Sequence, residues 1–291
     1  MVVQPTPLSV LTHPYIRLQP LDVDAPAVRG LGREPGSALV WCMGGRGDRG
    51  VCRVLRARPG GLSLLVVLPP DAELMASASL SLELHQLRPH GILPYHPIPA
   101  ASDLSQVLRR PPVDLAGEVT DYLRWRGLGI DRDTIHLIRR ILDLSGELRS
   151  ISAVSRSMYL SRRALGRRLT IRGLPVPSHW LQVGRLLRVA IRLQNSEATV
   201  SSVAFEHGYP DGFSLSNQME RLIGHRPSRV RSRLGWEWLV ESWLRQEAEA
   251  GRLRPTLIRP DRDEREAEPL AMSRPPRATR KSERPSRLPR A

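Results

Sequence analysis

At 291 residues the chain is long enough for two domains with separate cores, and no apolar run in it reaches the length of a membrane span. Two cysteines, Cys42 and Cys52, exclude a disulfide-rich scaffold, and Met1 to Pro7 carry no basic-then-apolar secretory pattern, so a cytoplasmic protein is expected. A net charge of +15 favours a polyanionic partner. Lys281 is the only lysine, a bias that genome base composition produces as readily as function, and part of the charge sits in the C-terminal tail. The inference therefore rests on net charge and not on the choice of arginine.

Residues 1–36 are punctuated by Pro5, Pro7, Pro14, Pro20, Pro26 and Pro35 and read as an extended lead-in. Residues 37–112 read as a small α/β domain. Ala38 to Cys42 predicts a strand, followed by Gly44, Gly45, Gly47 and Gly50. A glycine-rich loop after a strand can cradle phosphate, but the GxGxxG and P-loop spacings are both missing, and a plain turn is the better reading. Leu62 to Leu68 predicts a fully buried strand, and Asp71 to Leu87 a helix capped by Asp71. Ile92-Leu93 starts another short strand. Ser102 or Asp103 then caps a helix through Leu108 that Pro111-Pro112 stops. This alternation predicts a parallel sheet.

The stretch from Tyr95 to Leu108, with its His96-Pro97 pair, partially resembles the last strand and helix of bacterial receiver domains. The chemistry of such a domain is missing. No aspartate ends a central strand, since Pro69-Pro70 follow Leu68, and no acidic pair stands ready for a metal ion. A receiver-like domain of this kind would accept no phosphate and would serve dimerisation or protein contact.

Residues 113–130 predict a connecting helix ended by Gly127 and Gly129. An amphipathic helix from Asp131 to Leu144 follows, with Ile135, Ile138, Ile141 and Leu142 on one face. Two similar units come next. In the first, Ile151, Val154, Met158 and Leu160 supply apolar contacts, Ser161 caps a second helix, and Leu165 and Leu169 point inward. Arg162, Arg163, Gly166 and Arg167 form the outer face. Arginine is the commonest bidentate reader of guanine. Gly166 costs its helix about 1 kcal/mol relative to alanine. Pro177 to Leu193 predicts a long spacer helix capped by Ser178, with Trp180 in the core and Arg185, Arg188 and Arg192 on the outer side. In the second unit Thr199 caps Val200 to His207, with Val200, Val203, Ala204 and Phe205 expected inward. Gly208 suits a left-handed helix end, and Asp211 caps Gly212 to Ile223. Leu215, Met219 and Leu222 point in, while Phe213, Ser214 and Asn217 lie outward. Asn217 suits an adenine edge and Ser214 a phosphate.

From about Asp133 to Leu234 the chain resembles the DNA-binding domain of AraC/XylS-type transcriptional regulators. The second unit carries Val203-Ala204, Gly208-Tyr209, Asp211, Ser216, Gly224, Pro227, Ser228 and Arg231. The first carries Ser161, Leu165, Arg167 and Leu169, and the spacer carries Trp180, Arg185, Leu186 and Ala190. The resemblance implies two helix-turn-helix units bridged by a long helix, and binding to double-stranded promoter DNA. The DNA-binding residues it implies are Ser161, Arg162, Arg163, Gly166 and Arg167 in the first unit, and Gly212, Phe213, Ser214 and Asn217 in the second. Gly166 and Gly212 stand where the family often has base-contacting side chains, and Glu220 where a basic residue is usual. RNA polymerase is a further candidate partner, and a second copy of the chain can dock through the N-terminal domain.

The expected fold class is thus α+β: an all-α tandem helix-turn-helix domain at 131–246, preceded by the small α/β domain and followed by a disordered basic tail at 247–291. Leu234 to Leu244 is amphipathic and suited either to covering the second unit or to forming part of an interface. His85, His90 and His96 lie within a dozen residues and read as unliganded, Cys42 and Cys52 are ten apart and fit no common zinc spacing, no hydrolase motif is present, and no cofactor or enzymatic activity is expected. The alternative function is a non-specific nucleoid-associated or RNA-binding basic protein.

Overall fold

The computed structural model describes residues 8–21, 28, 30–43, 49–68, 78–94 and 99–254. Gly44, Gly45, Gly47, the expected cap Asp71, the His96-Pro97 pair and the tail from 255 onward lie outside the described residues. The protein is mixed α and β, with its strands in the N-terminal part and most of its helices in the C-terminal part. Among the described residues no helix is long and apolar enough to cross a membrane.

The strands are β1 (Leu8–Leu11), β2 (Leu18–Pro20), β3 (Ala38–Cys42), β4 (Ser63–Val67) and β5 (Gly91–Leu93), and they form one sheet in the order β2-β1-β3-β4-β5. Strands β3, β4 and β5 are parallel, with Leu39 opposite Leu64 and Val66 opposite Ile92. Helices α1 (Arg49–Arg56), α2 (Ala78–Leu87) and α3 (Ala101–Arg109) alternate with them. The expected all-parallel sheet is corrected at its other side. Strand β1 runs antiparallel to β3, with Leu8 opposite Trp41, and β2 runs antiparallel to β1. The lead-in is therefore part of the domain. Leu8, Val10 and Leu11 are apolar enough to be buried in the sheet, while Pro14 falls in the turn between β1 and β2 and Pro20 ends the edge strand, where no ladder donor is needed.

Side chains alternate between two covered faces. Leu39, Trp41, Leu64 and Val66 pack with Leu55 of α1 and Leu87 of α2. Ala38, Val40, Leu65 and Val67 pack with Leu104 and Leu108 of α3 and with Leu234. Burial on both faces is why β4 reads as an unbroken apolar run. Helix α3 starts after Ala100, whose N–H donates to the Asp103 carboxylate at 2.8 Å, so Asp103 caps from inside the first turn.

The C-terminal part comprises α4 (Leu115–Trp125), α5 (Arg132–Leu144), α6 (Ile151–Ser157), α7 (Arg162–Thr170), α8 (Pro177–Gln194), α9 (Val200–Glu206), α10 (Gly212–Ile223), α11 (Pro227–Ser232) and α12 (Glu237–Glu249). They share one continuous core that includes Tyr122, Ile138, Leu165, Trp180, Leu186, Leu215 and Trp243. Helix α4 is thus a member of the bundle and not merely a connector: Val119, Tyr122 and Leu123 are buried in that core. The folded part also runs past residue 246. Helix α12 continues to Glu249, Leu253 is fully buried, and the Arg254 N–H donates to the Gly173 carbonyl at 2.9 Å. The polar sequence there misleads because a carboxylate is what is buried. Glu247 is held by His179 at 3.0 Å and Arg252 at 2.9 Å.

The sheet and the bundle meet through a buried polar seam. Glu237, at the start of α12, accepts from the Ser63 hydroxyl, pairs with Arg88 at 2.7 Å, and lies 3.4 Å from His90 Nδ1. Arg88 also reaches Glu118 of α4 at 2.8 Å and stacks over Tyr122 and Trp236. The Tyr122 hydroxyl donates to Glu241 at 2.9 Å and accepts from the Gly61 N–H at 2.8 Å. Arg58 is buried, donates to the carbonyls of Leu55, Leu62, Leu87 and Arg88, and stacks on Trp125 at 4.2 Å. Burial lowers its pKa to about 10, which still leaves it charged at neutral pH. The Tyr15 hydroxyl donates to the Gly36 carbonyl and accepts from the Leu234 N–H, both at 2.9 Å.

Burial alone would raise the Glu237 pKa, but His90, Arg88 and Ser63 overcome it and hold the carboxyl well below the ordinary carboxylate range. Its contribution is fully present above the ordinary value of 4.5 and is lost as pH falls toward the depressed one. Replacing Glu237 with Leu leaves Arg88 short of a partner and is expected to cost about 3 kcal/mol in urea unfolding. Glu237→Gln is expected to lose less stability than the wild type between pH 4.5 and pH 3; equal acid slopes would contradict the pairing.

Candidate nucleic-acid interface

Two helix pairs, α6–α7 and α9–α10, are built alike. Each helix begins on a side-chain cap. Ser150 accepts from the Ala153 N–H at 3.2 Å, Ser161 from Ala164 at 3.1 Å, Thr199 from Ser202 at 3.1 Å and Asp211 from Ser214 at 2.6 Å. The caps stop the preceding turn as well as starting the helix, because their backbones are extended.

The turns match bond for bond. After α6, the Leu160 N–H reaches back to the Ser155 carbonyl and Tyr159 N–H to Arg156, at 2.9 and 3.0 Å. After α9, Tyr209 N–H reaches Ala204 and Gly208 N–H reaches Phe205, at the same two distances. The residue that reverses the chain is left-handed in both, with φ of +54° at Tyr159 and +71° at Gly208. Glycine adopts this conformation without strain, whereas tyrosine holds it at a cost of roughly 1–2 kcal/mol. Tyr159 is 97% exposed, so burial of its ring does not offset that cost.

Both pairs rest on α8, whose 18 residues span roughly 27 Å at 1.5 Å per residue. Pro177 occupies its first turn and Val176 the cap position, so Ser178 lies inside the helix and does not cap it. Trp180, Leu186, Leu187 and Leu193 are fully buried, and Trp180 meets the edge of Trp243 at 4.6 Å. The arginines expected on an outer face are partly inside. Arg185 donates to the carbonyls of His207 at 2.9 Å and Gly208 at 3.3 Å, and stacks over Tyr209 at 4.7 Å. Arg188 donates to the Ser145 hydroxyl at 2.7 Å. Burial lowers the pKa of both. Arg192 is exposed and pairs with Glu206 at 2.9 Å. Arg149, just before α6, also donates to the His207 carbonyl. Two arginines thus converge on the C-terminal end of α9: Arg149 ties the second pair to the first, and Arg185 ties it to the spacer. Burial, followed by these cationic neighbours, lowers the His207 pKa.

On α7 the inner positions are Leu165 and Leu169, both fully buried. Arg162, Arg163 and Arg167 are exposed and have no hydrogen-bond or ion-pair partner among the described residues, and α7 contains no acidic residue. Arg163 and Arg167, four apart, share a face. Ser161 is exposed and spent on the cap. Gly166 is half-buried, but a Cβ built there meets nothing within 4 Å.

On α10 the inner positions are Leu215, Met219, Leu222 and Ile223. Phe213 is 75% exposed, and Asn217, four residues on, is exposed with its amide unpartnered among the described residues. Ser214 is half-buried and bound to Asp211, whose pKa these bonds lower. Gly212 is a packing position: an added Cβ would lie 2.8 Å from the Ser201 hydroxyl oxygen and 3.3 Å from that residue's Cα. The first pair is therefore strongly cationic, and the second offers an amide and an exposed ring.

The chain matches no protein-family model, and no characterised protein shows significant sequence similarity to it.

Sequence reasoning misplaced Phe205. Expected inward, it is 63% exposed, because Val203 and Ala204 already occupy the inner face and the next residue is rotated by about 100°. A helical wheel drawn from Val200, Val203 and Ala204 alone would have found it. Arg149 was missed altogether, since it lies in the link before α6 and its role depends on a carbonyl far along the chain. Among the described residues no three His, Cys, Asp or Glu side chains gather to hold a metal ion; His90 is committed to Glu237, and Cys42 and Cys52 are not joined in a disulfide.

Gly208→Ala is expected to lose about 1–2 kcal/mol in thermal or urea unfolding, from left-handed strain and from a Cβ 2.6 Å from the Arg149 guanidinium carbon. Gly166→Ala, in open space, should instead gain up to about 1 kcal/mol. The reverse order of these two stabilities would contradict the geometry described.

Proposed function

We propose that this chain is a sequence-specific DNA-binding transcriptional regulator, cytoplasmic and non-enzymatic. Its two helix pairs act as helix-turn-helix units in successive major grooves. One observation carries the reading: two pairs with the same caps and the same turn, mounted on one rigid helix, each present solvent-facing polar side chains that the protein itself leaves unused. A positively charged helix with Arg163 and Arg167 on one face suits guanine edges and flanking phosphates, and Asn217 suits adenine. Phe213 offers apolar contact to a thymine methyl. Membership of the AraC/XylS-type regulators is part of the same proposal, as is contact with RNA polymerase.

The N-terminal part fits a degenerate receiver-like domain. Its strand order is the doubly wound 2-1-3-4-5 order, although β1 and β2 run antiparallel without a helix between them. Strand β3 ends in Trp41-Cys42, without the carboxylate that phosphate transfer needs. We assign it a structural and protein-contact role, a second copy of the chain being one partner to test.

A second reading has its own support. Four arginines without an acid on α7 would bind any polyanion. The two readings separate by selecting duplexes from a random pool with the full chain, then competing the winner against random duplex at moderate salt. Specific binding should win by a factor of about a thousand or more. In that assay Arg167→Ala is expected to cost about 1–3 kcal/mol and relax one position, whereas a phosphate contact would weaken all sequences alike and flatten the salt dependence. Equal affinity for selected and random duplexes would favour the non-specific reading.

A further inference from the structure

A cavity of about 440 Å³ opens where the sheet meets the bundle. Its walls come from three places: the edge strand β5 with His90 and Ile92, the α3–α4 link with Arg110 and Val113, and the start of α12 with Trp236 and Glu237. The volume lies within the range of roughly 300–1,000 Å³ typical of small-molecule sites, which favour junctions between domains.

We propose that this cavity binds a small organic anion with a short apolar body. The charge assignment follows from which lining groups are already committed. Glu237 is held by Ser63, Arg88 and His90, and Glu118 by Arg88. Arg110 is exposed, and its guanidinium has no acid or carbonyl partner among the described residues. It is therefore the lining guanidinium left unpaired among the described residues. The apolar wall of Ile92, Val107, Val113, Pro111 and Trp236 accepts a hydrocarbon or ring. Pro111-Pro112 stiffens the link, so the wall is preformed. An occupant touches β5 and α12 together, and binding therefore tightens the seam between the two parts. The site is independent of the DNA-binding reading and stands or falls without it.

The test uses the full chain and the fluorescent probe 8-anilinonaphthalene-1-sulfonate, an aromatic anion. Saturable binding is expected, displaced by hexanoate and not by hexylamine, which has the same chain length and the opposite charge. Arg110→Glu and Val113→Trp alter exposed side chains, and circular dichroism checks that both remain folded. Each should weaken probe binding about tenfold or more, while Arg33→Glu, at an exposed arginine that does not line the cavity, leaves it unchanged. Binding untouched by both cavity variants, or displaced equally by hexanoate and hexylamine, would overturn the proposal.

Discussion

Two short helices can act as one reader only if something fixes the distance and angle between them. Here that constraint is α8 together with the arginines that close on the end of α9. Isolated helices of this length are marginal in water, and the pairs stand because they share a core with the spacer. Arg149 and Arg185 donate to the same carbonyl, satisfying an orphan acceptor at a helix end and tying α9 both to the link before α6 and to the spacer. An arginine stacked on Tyr209 and pulled partly out of water is a stiffer tie than a solvated surface pair.

The second constraint is the seam around Glu237. A buried carboxylate is tolerated only with close partners, and it has three, all from the N-terminal part. This makes the sheet an extension of the bundle instead of a separately moving module. It also gives any occupant of the neighbouring cavity a mechanical route to the second pair, since α12 packs against α10 and its Trp243 against Trp180 of the spacer. A hydrophobic replacement of the network would hold the two parts together as well. A polar seam, however, fixes their register, because each donor fits a particular acceptor.

What could be read in advance follows from the range of the interactions. The caps Ser161, Thr199 and Asp211, the inward Leu165, Leu169, Leu215 and Met219, and the left-handed Gly208 are local, and local chemistry shows in sequence spacing. The fully buried run of β4 was also legible, because burial on both faces leaves no alternation. Prolines hid the lead-in strands, since pairing with β3 depends on residues far along the chain. Arg185 and Glu247 looked like surface residues because charge normally means solvent; their partners are carbonyls or side chains that no spacing reveals. Tyr159 is the harder case. A left-handed tyrosine has no local signature, and it emerges only by laying the first turn over the second. Among the candidate contacts, Gly212 is packed against Ser201 and the Ser214 backbone N–H serves the Asp211 cap, while Ser161, Arg162, Arg163, Arg167, Phe213 and Asn217 are exposed.

Hydroxyl-radical footprinting of the full chain on a selected duplex tests the fixed-spacing account most directly. The account predicts two short protected patches on one face of the duplex, about one helical turn or 34 Å apart. Their separation should not vary from one bound sequence to the next. A single patch, or two whose spacing drifts with sequence, would mean that α8 and its arginine clamps do not hold the helix pairs as one reader.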